Sequence, residues 1–151
     1  MKKLTRQTLL AVAVALGTTN PALANGKDCD VGTLRGLYLF SASGFNVPAP
    51  GQQIPKVIAE FIRFNGDGTL TSPGGTVIVG GVKLPPPSPG PPAIGTYTLD
   101  DDCIGTLSFN PQLTFDIFVF PKGDELVMVQ TAQPAPLGLP VLQGSAVRVS
   151  K

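Results

Sequence analysis

The chain has no histidine and no tryptophan, and only two cysteines among its 151 residues. The missing histidine excludes Ser-His-Asp and Cys-His nucleophile systems, an HExxH zinc site and any imidazole general base. Charge is sparse, at 14% of residues. Beyond the first few positions the basic residues are scattered from Lys27 to Lys151 and form no stripe, so nucleic-acid binding by phosphate neutralisation has no footprint. No residue set calls for a cofactor or a bound metal. A helical membrane span is not expected either, because the apolar run Leu9–Leu16 is about half of the roughly 20 residues a span needs.

Glycine (18) and proline (16) are abundant enough to raise the question of low complexity. The 42% hydrophobic content answers it, since such a chain buries enough apolar surface to offset its ordering entropy. The length fits one domain.

The N-terminus reads as an export leader. Lys2, Lys3 and Arg6 precede the apolar run, and Ala22-Leu23-Ala24 supplies an A-x-A cleavage site. The expectation is a signal peptide over 1–24, cleavage after Ala24, and a periplasmic or secreted single domain over 25–151. Cys29 follows Gly26-Lys27-Asp28, which is not a lipobox. The leader takes three of the 11 basic residues and none of the 10 acidic ones, leaving the mature domain net acidic by two charges.

Two cysteines in an exported chain, Cys29 and Cys103, predict one disulfide. Closing a loop of about 75 residues is worth roughly 4 kcal/mol in the chain-entropy picture. A redox pair or metal site is the rival reading, but there is no CxxC and no histidine to complete a ligand set.

No mature segment carries a sustained 3.6-residue period. Short runs of Val, Ile, Phe, Tyr and Thr alternate with Gly, Pro, Asn and Asp clusters, which predicts strands over 34–43, 56–64, 69–72, 76–84, 93–99, 104–109, 113–120, 125–132 and 143–150. Asn65-Gly66-Asp67-Gly68, Asn110-Pro111-Gln112 and Pro121-Lys122-Gly123-Asp124 read as tight turns. The expected fold is all-β, an antiparallel up-and-down β-barrel of about eight strands, because a meander of this length must hide its edges. A sandwich is the alternative. Residues 45–55 and the run Leu84–Pro92 (LPPPSPGPP) are expected to be rim loops, the second also eligible as a stiff lid.

Several strands are apolar on both faces. In 113–120, Leu113, Phe115, Ile117 and Val119 share one face, while Phe118 and Phe120 lie on the other. A water-exposed outer wall should be polar, so a second copy of the chain is the expected cover, with scattered surface hydrophobes as the competing reading.

Motif tests close several routes. With Gly68 in the sixth position of a calcium loop, the first is Arg63 and the twelfth Gly74, so an EF-hand fails at both ends. Asp100-Asp101-Asp102 reads as a solvated turn. Gly80-Gly81 precedes no helix, so it makes no phosphate cradle. What is left is polar residues within apolar strands. Glu60 shares a face with Ile58, Ile62 and Phe64, whereas Arg63 shares the other with Val57, Ala59 and Phe61, so only one of the two points inward. The bulkier face puts Glu60 inside, as a candidate general acid or base. Tyr38 and Tyr97 are further catalytic candidates, with Asp116 and Arg148 as possible partners. Tyr38, Phe115 and Ile117 are candidate ligand-lining residues. For each, a structural role competes with the functional one.

The stretches Leu34-Arg35-Gly36-Leu37-Tyr38-Leu39-Phe40, Phe64-Asn65-Gly66-Asp67-Gly68-Thr69-Leu70, and Gly95-Thr96-Tyr97-Thr98-Leu99 through Cys103-Ile104-Gly105-Thr106-Leu107 occur in that order. This pattern resembles small secreted bacterial proteins with a calycin-like barrel, distantly similar to the allene oxide cyclase and dirigent fold. The resemblance implies an eight-stranded, often trimeric barrel with an apolar cavity and no cofactor. It transfers no catalytic residue. Three functions follow as expectations: a secreted barrel binding a small apolar molecule, a cofactor-free cyclase or isomerase, or a structural and interaction module whose barrel is filled by its own side chains.

Overall fold

The alternation of apolar and polar residues becomes a ring of strands in the computed structural model, which describes residues 29–84, 93–110 and 112–151. A 3-10 turn at Val31–Thr33 leads into β1 (Arg35–Val47), β2 (Ile54–Asn65), β3 (Thr69–Val79), β4 (Val82–Lys83), β5 (Ala93–Leu99), β6 (Ile104–Asn110), β7 (Leu113–Val119), β8 (Glu125–Ala132) and β9 (Leu139–Ser150). All pairings are antiparallel. Consecutive strands pair, β3 passes directly to β5, and β9 returns to β1, so eight strands close an up-and-down barrel with β4 outside it. The expected barrel is therefore the observed one. The leader expected over 1–24 and the proline-rich residues 85–92 lie outside the described residues.

Three sequence expectations need correction. The strand over 34–43 runs on to Val47, and its partner begins at Ile54, so the loop expected over 45–55 shrinks to 48–53. Phe45 and Asn46 are strand residues paired with Pro55 and Ile54. The strand over 69–72 and the first part of that over 76–84 form one strand, Thr69–Val79, because Pro73-Gly74-Gly75 continues it as an irregularity opposite Phe61–Arg63 instead of ending it. Gly80-Gly81 then turns the chain back into β4. The last strand begins at Leu139, four residues early.

Local chemistry sets the turns. In the β2–β3 hairpin, Gly66 and Gly68 take positive φ, and the Asp67 carboxylate accepts from the backbone N–H and the hydroxyl of Thr69 at 2.9 and 2.6 Å. Those two bonds hold the Asp67 carboxyl below its ordinary range. In the β5–β6 turn, the Asp100 carboxylate accepts from the Ile104 N–H at 2.8 Å. The aspartate triple is that turn.

The core is the barrel lumen. Tyr38 and Phe40 from β1, Ile62 and Phe64 from β2, Leu107 from β6, Ile117 from β7, and Leu126 and Met128 from β8 are all but inaccessible to solvent. Edge-to-face contacts chain Tyr38 to Phe64 and Phe64 to Tyr97, and join Phe40 to Phe115, with ring centroids 5.0–5.9 Å apart. Burying each such side chain contributes about 1.5–3 kcal/mol. Cys29 and Cys103, bonded with their Cα atoms 5.1 Å apart, tie the segment before β1 to the β5–β6 turn.

Candidate functional site

Two groups of inward polar side chains stand at the two ends of the barrel, and each end is built differently. At one end Arg148 of β9 turns inward. Its Nε donates to the Tyr38 hydroxyl at 3.0 Å, and its Nη2 donates to the carbonyls of Gly123 and Thr33 at 2.8 and 3.1 Å. Its Nη1 meets the Asp124 carboxylate at 2.9 Å, the one ion pair among the described residues. The Tyr38 hydroxyl donates in turn to the Gly123 carbonyl. Position 123 requires glycine twice over: φ is +64°, and a Cβ would stand 2.2 Å from the Thr33 carbonyl oxygen. Tyr97 closes the same end by donating to the carbonyls of Val31 and Leu34 at 2.7 and 3.0 Å. Burial raises both tyrosine pKa values, and the Arg148 hydrogen bond partly offsets the rise at Tyr38.

The opposite end centres on Lys56, which is only 6% exposed although it begins an inward-facing row. Its Nζ reaches across the lumen from β2 to β8. There it donates to Gln130 Oε1 at 2.9 Å and to Gln133 Oε1 at 3.1 Å. Both glutamines are themselves oriented by backbone: Gln130 Nε2 donates to the Ala132 carbonyl, and Gln133 Nε2 to the carbonyls of Leu137 and Gly138. No carboxylate among the described residues lies within ion-pair distance of Lys56. Burial lowers the Lys56 pKa. Asn46, diagonal to Lys56 across the β1–β2 pairing, is 1% exposed, and its Oδ1 has no hydrogen-bond partner among the described residues.

Glu60 does face inward, in step with buried Ile62 and Phe64, and Arg63 is exposed on the outer wall. Burial pushes the Glu60 carboxyl up, and a hydrogen bond from the buried Ser72 hydroxyl pulls it part of the way back. It makes no ion pair among the described residues. The other candidates separate. Tyr38 finds Arg148, as their placement in strands allowed, while Asp116 lies on β7 opposite Val129 and Thr106, away from the tyrosines. Phe115 and Ile117 are packed in the core. Lys56 escaped notice although alternation puts it on the face of Glu60. Asn46 escaped because it was assigned to a loop.

The better-formed hollows lie on the outside of the barrel. One, about 590 Å³, is a trough over β1, β9 and β8 floored by Ser41, Ser43, Gly144 and Ser145. A second, about 370 Å³, runs beside it over β1, β2 and β3 between Leu39, Phe61 and the Gly74-Gly75 irregularity. Between the two, Phe61, Leu39 and Val147 pair in register across β2, β1 and β9 and form an apolar ridge, each 42–48% exposed. Val57, Val141 and Leu139 extend the apolar wall toward the Lys56 end.

No family model, curated protein or solved structure matches the chain. The arrangement of its own residues therefore carries the functional argument. Chemically it offers a braced end, a lysine with no counter-ion among the described residues, a desolvated carboxyl, and an apolar outer wall.

Proposed function

We propose that this protein is an interaction module of the cell exterior, a rigid self-filled barrel that associates with a second copy of itself through the outer wall of β1, β2 and β9. The observation that carries this reading is the Phe61–Leu39–Val147 ridge standing beside a trough of small residues. Ridge and trough on one surface make that surface self-complementary, because a two-fold axis between them seats each ridge in the other copy's trough. Exposed apolar side chains lying contiguously on a sheet face mark association surfaces, unlike single scattered ones. The lumen supports the same reading. Tyr38, Phe115 and Ile117, the positions that would line a ligand cavity, pack against their neighbours instead. The Cys29–Cys103 bond fits an oxidising compartment.

Sedimentation velocity of the mature protein at micromolar concentration tests the proposal. The expected mass exceeds one 127-residue chain. Phe61→Glu sets a charge on the ridge and should return the protein to a monomer that still unfolds in one cooperative transition. A wild-type monomer at high concentration overturns the proposal, as does a Phe61→Glu variant that remains associated.

A further inference from the structure

Lys56 is the buried group whose bonding is hardest to explain as packing alone. An ammonium has three N–H donors, and a buried one ordinarily meets a carboxylate. Here the nitrogen meets two amide oxygens, each fixed by its own amide nitrogen's bonds to backbone carbonyls. Two acceptors satisfy the two N–H groups of a neutral amine and leave its lone pair unengaged. They leave the third proton of an ammonium unbonded. Other charged groups do not change this count. Glu60 is four residues along the same face and makes no ion pair with Lys56, while Arg148 is braced at the far end of the barrel.

We infer that Lys56 is a nucleophilic amine that captures apolar aldehydes at the barrel mouth. The lone pair attacks the carbonyl carbon, forming the C–N bond, and the carbonyl π electrons move to oxygen, which takes a proton from nitrogen. The resulting carbinolamine loses that oxygen as water together with the second nitrogen proton, leaving a C=N bond. One aldehyde is consumed and one water released, with no oxidant or reductant. Asn46 supplies the complementary group. Its Oδ1, without a partner among the described residues and two positions along the β1–β2 register on the same inner face, is an acceptor for the hydroxyl that exists only in the carbinolamine. Ile58, two residues along β2, and Leu142, in the cross-strand row that runs from Lys56 through Gly44, put apolar side chains on the inner face beside the amine, which favours an alkyl aldehyde over a sugar. Burial, which favours the neutral amine, acts in the same direction.

The test is reductive trapping on the full-length mature protein. Hexanal and cyanoborohydride are added near pH 7, and modified lysines are counted by peptide mass spectrometry. Lys56 should be alkylated several-fold faster than the exposed Lys83, Lys122 and Lys151. Gln130→Glu, which gives the amine a carboxylate partner, should slow Lys56 to the rate of those exposed lysines or below. If that variant does not fold, Gln133→Glu makes the same change at the rim. Modification of Lys56 no faster than the exposed lysines, or only after unfolding in urea, overturns the inference. So does an undiminished rate in the glutamate variant.

Discussion

Replacing Arg148 with methionine separates two accounts of how the braced end is held. In one, the Arg148–Asp124 ion pair is the important contact. In the other, the guanidinium works through its bonds to Tyr38, Thr33 and Gly123. The exposures favour the second: the Arg148 side chain is 12% exposed and that of Asp124 is 64% exposed. An ion pair with one partner largely in water contributes about 0–1 kcal/mol. The other three bonds join a charged donor to acceptors in a partly buried site, where such bonds contribute about 1.5–3 kcal/mol each before desolvation of the guanidinium is subtracted. Removing them together should cost about 3 kcal/mol; methionine keeps much of the apolar stem but also removes the guanidinium carbon that stands 5.4 Å from the Tyr38 ring centroid. Asp124→Asn should cost no more than about 0.5 kcal/mol. Urea unfolding followed by circular dichroism measures both as a shift in midpoint at unchanged slope. Tyr38→Phe completes the set. Its hydroxyl accepts from Arg148 and donates to Gly123, so the double variant should cost less than the two single changes added together. Equal losses from Arg148→Met and Asp124→Asn would refute the reasoning, as would strict additivity with Tyr38→Phe.

Most of the ring was legible because turn chemistry and alternation are local. Asn65–Gly68 and the Asp100–Asp102 run mark their turns by residue type alone, and the parity that places Glu60 inside and Arg63 outside follows from the two-residue period. The failures lie where a local signal conflicts with the sheet. Pro73-Gly74-Gly75 reads as a break, yet pairing with β2 carries the chain through it, since Gly74 and Gly75 still pair with Phe61 and Glu60. Proline at 48, 50 and 55 suggested a loop from Phe45 onward, but β9 extends back to Leu139 and holds Phe45–Val47 in the sheet. Asn46 was hidden by that error. Lys56 was hidden by its type: an inward lysine near a strand end is expected to reach water, and only the two glutamines that arrive from β8 and the residue after it explain why it does not. One of those, Gln130, was visible on the face of Leu126 and Met128, but no local rule links it to a residue 74 positions earlier.

The remaining predictions address the staple and the buried carboxyl. Mutating Cys29 and Cys103 together to serine should cost about 4 kcal/mol, because the unfolded chain regains the freedom of the loop. Alkylation before and after reduction should find two protected thiols in the native protein, and two freely reactive thiols would contradict the bond. Glu60 makes a prediction about pH whose sign follows from its surroundings. Burial raises its folded-state pKa above the ordinary 4.5. Between those two values the folded protein binds more protons than the unfolded chain, so stability falls as pH rises through that window. The advantage is fully present below the unfolded pKa and is lost once pH passes the folded one. Glu60→Gln keeps the shape but has no proton to lose, so its stability should not decline over this window. At neutral pH the variant should match or exceed the wild type, although a destabilised variant is the usual result of changing a buried residue. Urea midpoints measured from pH 4 to 8 on both proteins decide it. Parallel profiles would mean that the Glu60 carboxyl is solvated, and that its inward position carries no electrostatic cost.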